Sequence, residues 1–382
     1  EIRLLGASAR ISGGSLSVDQ LVRDDGRIDS DLFLQVSGEI RVAAGERLVF
    51  SGATNSSSGR VEVVNGEIEF ANGFYNAPAT GLITARDATL RFGTGLTNDG
   101  SVGISFGTTD VYGVINNSGT GQITVTGGAN ATFYGDLVNN GTVNVSAGSQ
   151  AVYFGDVSGV SSFTGAGTNY FEGDLRPGAS PGEVGFGGDV VLGTLSTVEA
   201  ELAGTAPGVQ YDRLNIAGNV SLAGELAVSL IDGFFPTPGE MFEIMTFAAR
   251  TGEFDTITGA GLLDPDTALV PVYGANDLTL VTAIAGDVNL DGVVNGLDAN
   301  AISINFNISG VGYQAGNANF DGVVNGLDAN LIAIHFNQTN PARLIPEPAA
   351  GLLILIGIAP FFSLRLRRTP YRSGDCDPAR AP

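Results

Sequence analysis

A two-residue apolar phrase returns about every twenty residues along the first half of this chain, and few folds can absorb such a repeat. Val102/Ile104, Ile123/Val125 and Val143/Val145 are three copies. Apolar and polar residues alternate within each copy, the pattern of a strand with one buried face. Turn residues separate the copies: Asn98-Asp99-Gly100, Asn116-Asn117-Ser118-Gly119 and Asn139-Asn140-Gly141. Strands this short and this evenly spaced predict coils stacked into a solenoid, like residue above like. A second phrase recurs as Tyr134-Gly135-Asp136-Leu137, Phe154-Gly155-Asp156-Val157, Phe171-Glu172-Gly173-Asp174-Leu175 and Phe186-Gly187-Gly188-Asp189-Val190. On this reading the aromatics form an internal ladder and Gly-Asp forms a corner. Asn and Gly supply left-handed corner conformations. A column of Asp repels itself, so it either binds cations or consists of solvated turns whose carboxylates bond the backbone. Turn chemistry favours the second.

Composition narrows the chemistry. The chain has 382 residues, a formal charge of -22, 56 Gly, no Trp, one Cys and one His. All its basic residues are Arg. Nucleic acid is excluded as a partner, because duplex binding needs Lys and Arg to neutralise phosphates. Without Lys there is no phosphate-loop lysine and no Schiff base. The lone Cys376 excludes a disulfide framework and a cysteine zinc cluster. The chain opens at Glu1 with neither Met nor an export signal, which leaves a trimmed signal and a fragment equally open.

From Gly286 to Asn337 the pattern changes, and one twelve-residue loop appears twice. Its first copy places Asp287, Asn289, Asp291, the carbonyl of Val293, Asn295 and Asp298 at positions one, three, five, seven, nine and twelve, with Gly292 at six. The second places Asn317, Asn319, Asp321, the carbonyl of Val323, Asn325 and Asp328 at the same positions, with Gly322 at six. Oxygen donors at this spacing, with Gly at the sharp turn, are what Ca2+ requires. Two calcium sites follow, the first tighter because the second has lost a carboxylate at Asn317. Val294 and Val324 are expected to meet across a pseudo-twofold axis. Leu297, Ala301 and Ile304, like Leu327, Leu331 and Ile334, are spaced for helical stripes that bury on each other.

The stretch 286–337 resembles a type I dockerin. That resemblance implies metal roles for the Asp and Asn residues just named, and a cohesin-like partner. Loop positions ten and eleven, often Ser or Thr in that family, are here Gly296-Leu297 and Gly326-Leu327. The repeats of residues 1–204 resemble autotransporter-associated parallel β-helix repeats, which implies an extended secreted stalk. Pro346-Glu347-Pro348, the apolar run Ala349–Leu364 and then Arg365, Arg367 and Arg368 resemble a PEP-CTERM sorting signal. This implies transient anchoring in the inner membrane, basic flank inward, recognition by an exosortase-type processing enzyme, and surface display, often with exopolysaccharide.

The expected fold is therefore mainly β. A right-handed parallel β-helix (1–204) is closed by terminal β coils or a cap (205–285). A small α dockerin-like EF-hand pair (286–337) and a linker (338–348) follow, then a C-terminal transmembrane helix with its basic cluster (349–368) and a cytoplasmic tail (369–382). The expected function is that of an exported, non-catalytic surface or matrix protein. The alternative is a β-helix polysaccharide-active enzyme carrying a dockerin, since glycosidases need only two carboxylates. Asp136, Asp156 and Asp174 are its candidates, although they recur as turn residues. His335, the only histidine, sits in the second helix as a helix-surface or partly buried packing residue.

Overall fold

The computed structural model describes residues 1–178 and 180–340. The sorting motif, the apolar run and the arginines that follow it lie outside the described residues. Among those described, no helix is long and apolar enough to cross a membrane. The fold is mainly β, a parallel solenoid with two short helices.

Each coil turns through three strands. Gln122–Thr126, Asn130–Phe133 and Leu137–Asn139 make one coil, and each pairs in parallel with its counterpart in the next. Two strands per coil run into a 25-stranded sheet, and the third into a 12-stranded one. The register is the one that the aliphatic pairs demand. Val102 lies over Ile123 and Ile123 over Val143, while Ile104 lies over Val125 and Val125 over Val145. All six are buried. Each methylene so removed from water contributes about 0.8 kcal/mol.

The aromatic phrase divides differently from its expected register. Phe133, Tyr153 and Phe171 stack inside, with centroids 5.3 and 5.0 Å apart. Tyr134 and Phe154, one residue on, point outward and stack 5.4 Å apart. Phe171 therefore registers with Tyr153, and Glu172 takes the outer place. A one-residue offset reverses the face of a strand residue, so the recurring letters concealed two ladders.

The corner asparagines also have another role. Asn76, Asn98, Asn117 and Asn139 are fully buried, and none has a positive φ. Their side chains form a ladder, each Nδ2 donating to the Oδ1 of the next at 2.8, 2.8 and 2.9 Å. Such amides satisfy buried backbone carbonyls as well, for example Asn117 Nδ2 to Thr142 O at 3.3 Å. Glycine is needed beside this ladder for space. A Cβ on Gly141 would lie 2.2 Å from the carbonyl oxygens of Gly121 and Ser118.

The parallel coils run on to Thr256–Thr258, and the hydrogen-bonding then turns antiparallel. Strand Thr267–Tyr273 pairs with Asp277–Ile284, which folds back on Met241–Thr246. This hairpin closes the open end of the stack. Leu269, Leu278 and Leu280 join the solenoid core, while Ala268, Val270, Val281 and Ala283 pack with Val288, Leu290, Tyr313 and Ala318. The cap is thus buried on both faces, between body and loop–helix module.

Candidate metal centre and flanking surfaces

Beyond position one, the two loops fold alike. In the first, Asp291 Oδ1 accepts from Val293 N at 2.9 Å, and Asp298 accepts from Asn289 N at 3.1 Å and Asn295 N at 2.8 Å. In the second, Asp321 Oδ1 accepts from Val323 N at 2.9 Å, and Asp328 from Asn319 N at 3.1 Å and Asn325 N at 2.7 Å. Leu290 and Phe320, at position four, both adopt left-handed backbone at φ 58° and 59°. Gly292 and Gly322 do the same at position six. Asn295 and Asn325 cap the helices α1 (Gly296–Asn305) and α2 (Gly326–His335), closing capping boxes with Asp298 and Asp328. At position twelve the Asp carboxylate, in the first helical turn, reaches the loop amides.

The loops differ at position one. Asp287 is 2% exposed and accepts from both Asp291 N at 3.1 Å and Gly292 N at 2.9 Å. Burial pushes its carboxyl up to about 6, against the hydrogen bond from Gly292, and the charges of Asp298 and Asp291 add to the rise. Asn317 takes one bond, from Gly322 N at 3.3 Å, and turns its Nδ2 to Val311 O at 3.2 Å. From Thr251 to Ala342 the sequence has neither Arg nor Lys, so no Arg–carboxylate pair offsets the loop charges from within this stretch. Amide nitrogens face the loop oxygens: Asn289 Nδ2 reaches Asp291 Oδ2 at 3.0 Å, and Asn295 Nδ2 reaches the Val293 carbonyl at 3.1 Å. Among the described residues no three His, Cys, Asp or Glu side chains form a metal-holding group by themselves. A hard cation here would depend on the Asn and backbone oxygens too, and such mixed oxygen sets are what Ca2+ takes.

The module is clasped. Val294 exchanges bonds with Asn337 and Gln338, which follow α2, and Val324 with Asn307 and Ile308, which follow α1. Both valines bury in one cluster with Ile284, Ile302 and Ile332. Gly286 and Gly316, at φ 94° and 105°, sit against the backbone of Ile332 and Ile302, where a Cβ would come within 3.2 and 3.1 Å of the respective Cα atoms.

The expected apolar stripes do not pack on each other. Leu297, Ile304, Leu327 and Ile334 are all more than 60% exposed. The inward residues are Asp298 and Ile302 on α1, and Asp328, Ile332 and His335 on α2. Capping fixes this. Asp298 and Asp328 must face the loops, and residues four further on share their face. His335 is a buried brace: Nδ1 lies 2.9 Å from Leu331 O, and Nε2 lies 3.0 Å from Asp266 Oδ1 in the cap.

On the body, Asp136, Asp156 and Asp174 do form a column. Each is used structurally, accepting from the backbone amides of Asp156, Asp174 and Thr197 at 3.0, 3.4 and 3.2 Å. Arg176 reaches Asp156, Asp174 and Glu199 at 3.2, 3.4 and 2.6 Å and offsets their repulsion. Sequence reasoning missed the neighbouring cluster, where Glu199, Glu201 and Asp212 line a small cavity of about 160 Å3 with Arg176. Burial pushes Asp212 up to about 6, although Gly182 N and Glu201 N donate to it at 2.6 and 2.8 Å. The only signal was the break at Pro207-Gly208 ahead of Tyr211-Asp212. No protein-family model matches the chain, and no curated protein is found similar to it.

Proposed function

We propose that this is an exported surface or matrix protein without catalytic activity. Its body is a right-handed β-helix, the hand that parallel crossovers overwhelmingly take. A dockerin-like module binds two Ca2+ ions, and a PEP-CTERM-type tail spans the inner membrane until an exosortase-type enzyme removes it. The reading rests on the first loop, where Asp287 is buried within reach of the charges of Asp291 and Asp298 and the sequence from 251 to 342 has no Arg or Lys. Calcium bound there would lock the module onto the cap through Val288, Leu290 and Tyr313, stiffening the end of the stalk. The exposed leucines and isoleucines of α1 and α2 would face a protein partner, cohesin-like in role, while the body would meet exopolysaccharide. Support for a passive body comes from Arg176, which offsets the charges of Asp156, Asp174 and Glu199.

Calorimetric titration of the intact chain with Ca2+ tests this: two binding events are expected, the tighter lost in Asp287→Ala/Asp291→Ala. Mass spectrometry of the cell-surface form should find a C-terminus near Pro346-Glu347-Pro348; an intact tail there would sink the sorting part. A second reading, a polysaccharide-active enzyme, draws on the cluster of Glu199, Glu201 and raised Asp212. Cleavage of polysaccharide that Glu199→Gln and Asp212→Asn abolish would favour it.

A further inference from the structure

Two open grooves meet at Arg250 on the outer face of the 25-stranded sheet. One, of about 400 Å3, is lined by Tyr170, Val191, Ser221 and Thr251 as well as Arg250. The other, of about 480 Å3, continues from Arg250 past Tyr273 and Gln314 to Phe320 in the second loop. Both lie in the size range of ligand sites. The first follows one outward column, Tyr170 over Val191, Val191 over Ser221 and Ser221 over Thr251. Strand spacing makes that column about 14 Å long. Small side chains between Tyr170 and Arg250 leave the trough open.

Its lining has a distinct chemistry. Tyr170 faces outward, and alone among the eight described tyrosines it has neither a ring partner nor a hydrogen bond. Arg250 lies over the Tyr273 ring at 4.7 Å, donates to Gly252 O at 2.6 Å and reaches Glu253 at 3.3 Å. Its charge is thereby offset in place. Asp189, at the far end, accepts from Asn219 N at 2.8 Å. What remains is aromatic surface, hydroxyls and amides, with little net charge. A chain of -22 also repels polyanions.

We infer that this trough binds a neutral, extended oligosaccharide, a sugar C–H face on Tyr170 and its hydroxyls on Ser221, Thr251 and Gln314. The inference deepens the matrix-protein reading by giving the polysaccharide a site, and it rests on that reading only for the absence of cleavage. Calorimetry of the full chain with neutral and acidic hexasaccharides of defined linkage tests it. A neutral hexasaccharide should bind. Tyr170→Ala should weaken it about tenfold or more, as the loss of one good aromatic contact does, with an unchanged melting temperature. Tyr170→Phe should retain binding. So should Tyr134→Ala, whose ring belongs to the other outer stack. Binding of acidic oligosaccharides only, of none at all, or equally by Tyr170→Ala overturns the site. Shortened products from a bound hexasaccharide would support the trough and end the non-catalytic reading.

Discussion

Body and module use the same polar residues to opposite ends. In the body, Asn and Asp are arranged so that every repeat finds a donor or acceptor on the next: Asn117 bonds Asn98 and Asn139, and Asp156 caps the amide of Asp174. Stacking therefore satisfies most of these polar groups within the protein, the Oδ1 atoms of Asn55 and Asn76 excepted. In the module, the duplicated loop brings Asp287 and Asp298 into buried positions without an Arg. Repetition along an axis passes each polar group to its neighbour, whereas each twelve-residue loop folds its own carboxylates back onto its own amides. The proposed Ca2+ would supply the positive charge that this stretch lacks.

Four experiments break or sharpen that contrast. Asn117→Ala should cost the most, on the order of 3 kcal/mol or more in urea unfolding, because it strands a buried donor and acceptor and leaves a void. A loss below about 1 kcal/mol would mean that the ladder is ornamental. Next, Asp212→Asn isolates a pH effect. The carboxyl is raised to about 6 when folded, above its ordinary 3.8. Its favourable contribution is therefore complete below about pH 4 and lost as pH climbs through about 6. The stability of wild type relative to the variant should fall across that window, by up to about 3 kcal/mol, and stay level above it. A constant difference would contradict the assignment. Third, Ca2+ should raise the melting temperature of the module's transition in wild type, and far less in Asp287→Ala/Asp291→Ala, as followed by circular dichroism. An equal rise in both would remove the gathered-oxygen half of the comparison. The smallest effect is expected on the outer helix face. Leu297→Ser and Leu327→Ser should each change stability by less than about 0.5 kcal/mol, against about 2–4 for Ile302→Ala. The reverse order would restore the stripes facing each other.

Much of the body was legible. The alternation of Val102, Ile104, Ile123 and Val125 gives strand, face and register together, because a strand's period is local. The loops were legible for the same reason: donor spacing and Gly292 or Gly322 are set within twelve residues. Less visible were features that depend on a neighbour in space. Tyr153 and Phe154 are both aromatic, and only the pairing of Tyr153 with Phe171 decides which lies inside. Asn98 beside Gly100 is equally at home in a turn, and only the coil that follows makes it a ladder rung.

By itself, then, the sequence determined the coil period, the aliphatic pairs that line the core and the oxygens offered at 287–298 and 317–328, since all follow from short-range geometry. Tertiary structure alone decided that α1 and α2 turn Ile302 and Ile332 inward and leave Leu297, Ile304, Leu327 and Ile334 in water. The helical period offered several faces; the need of Asp298 and Asp328 to meet the loop amides selected one.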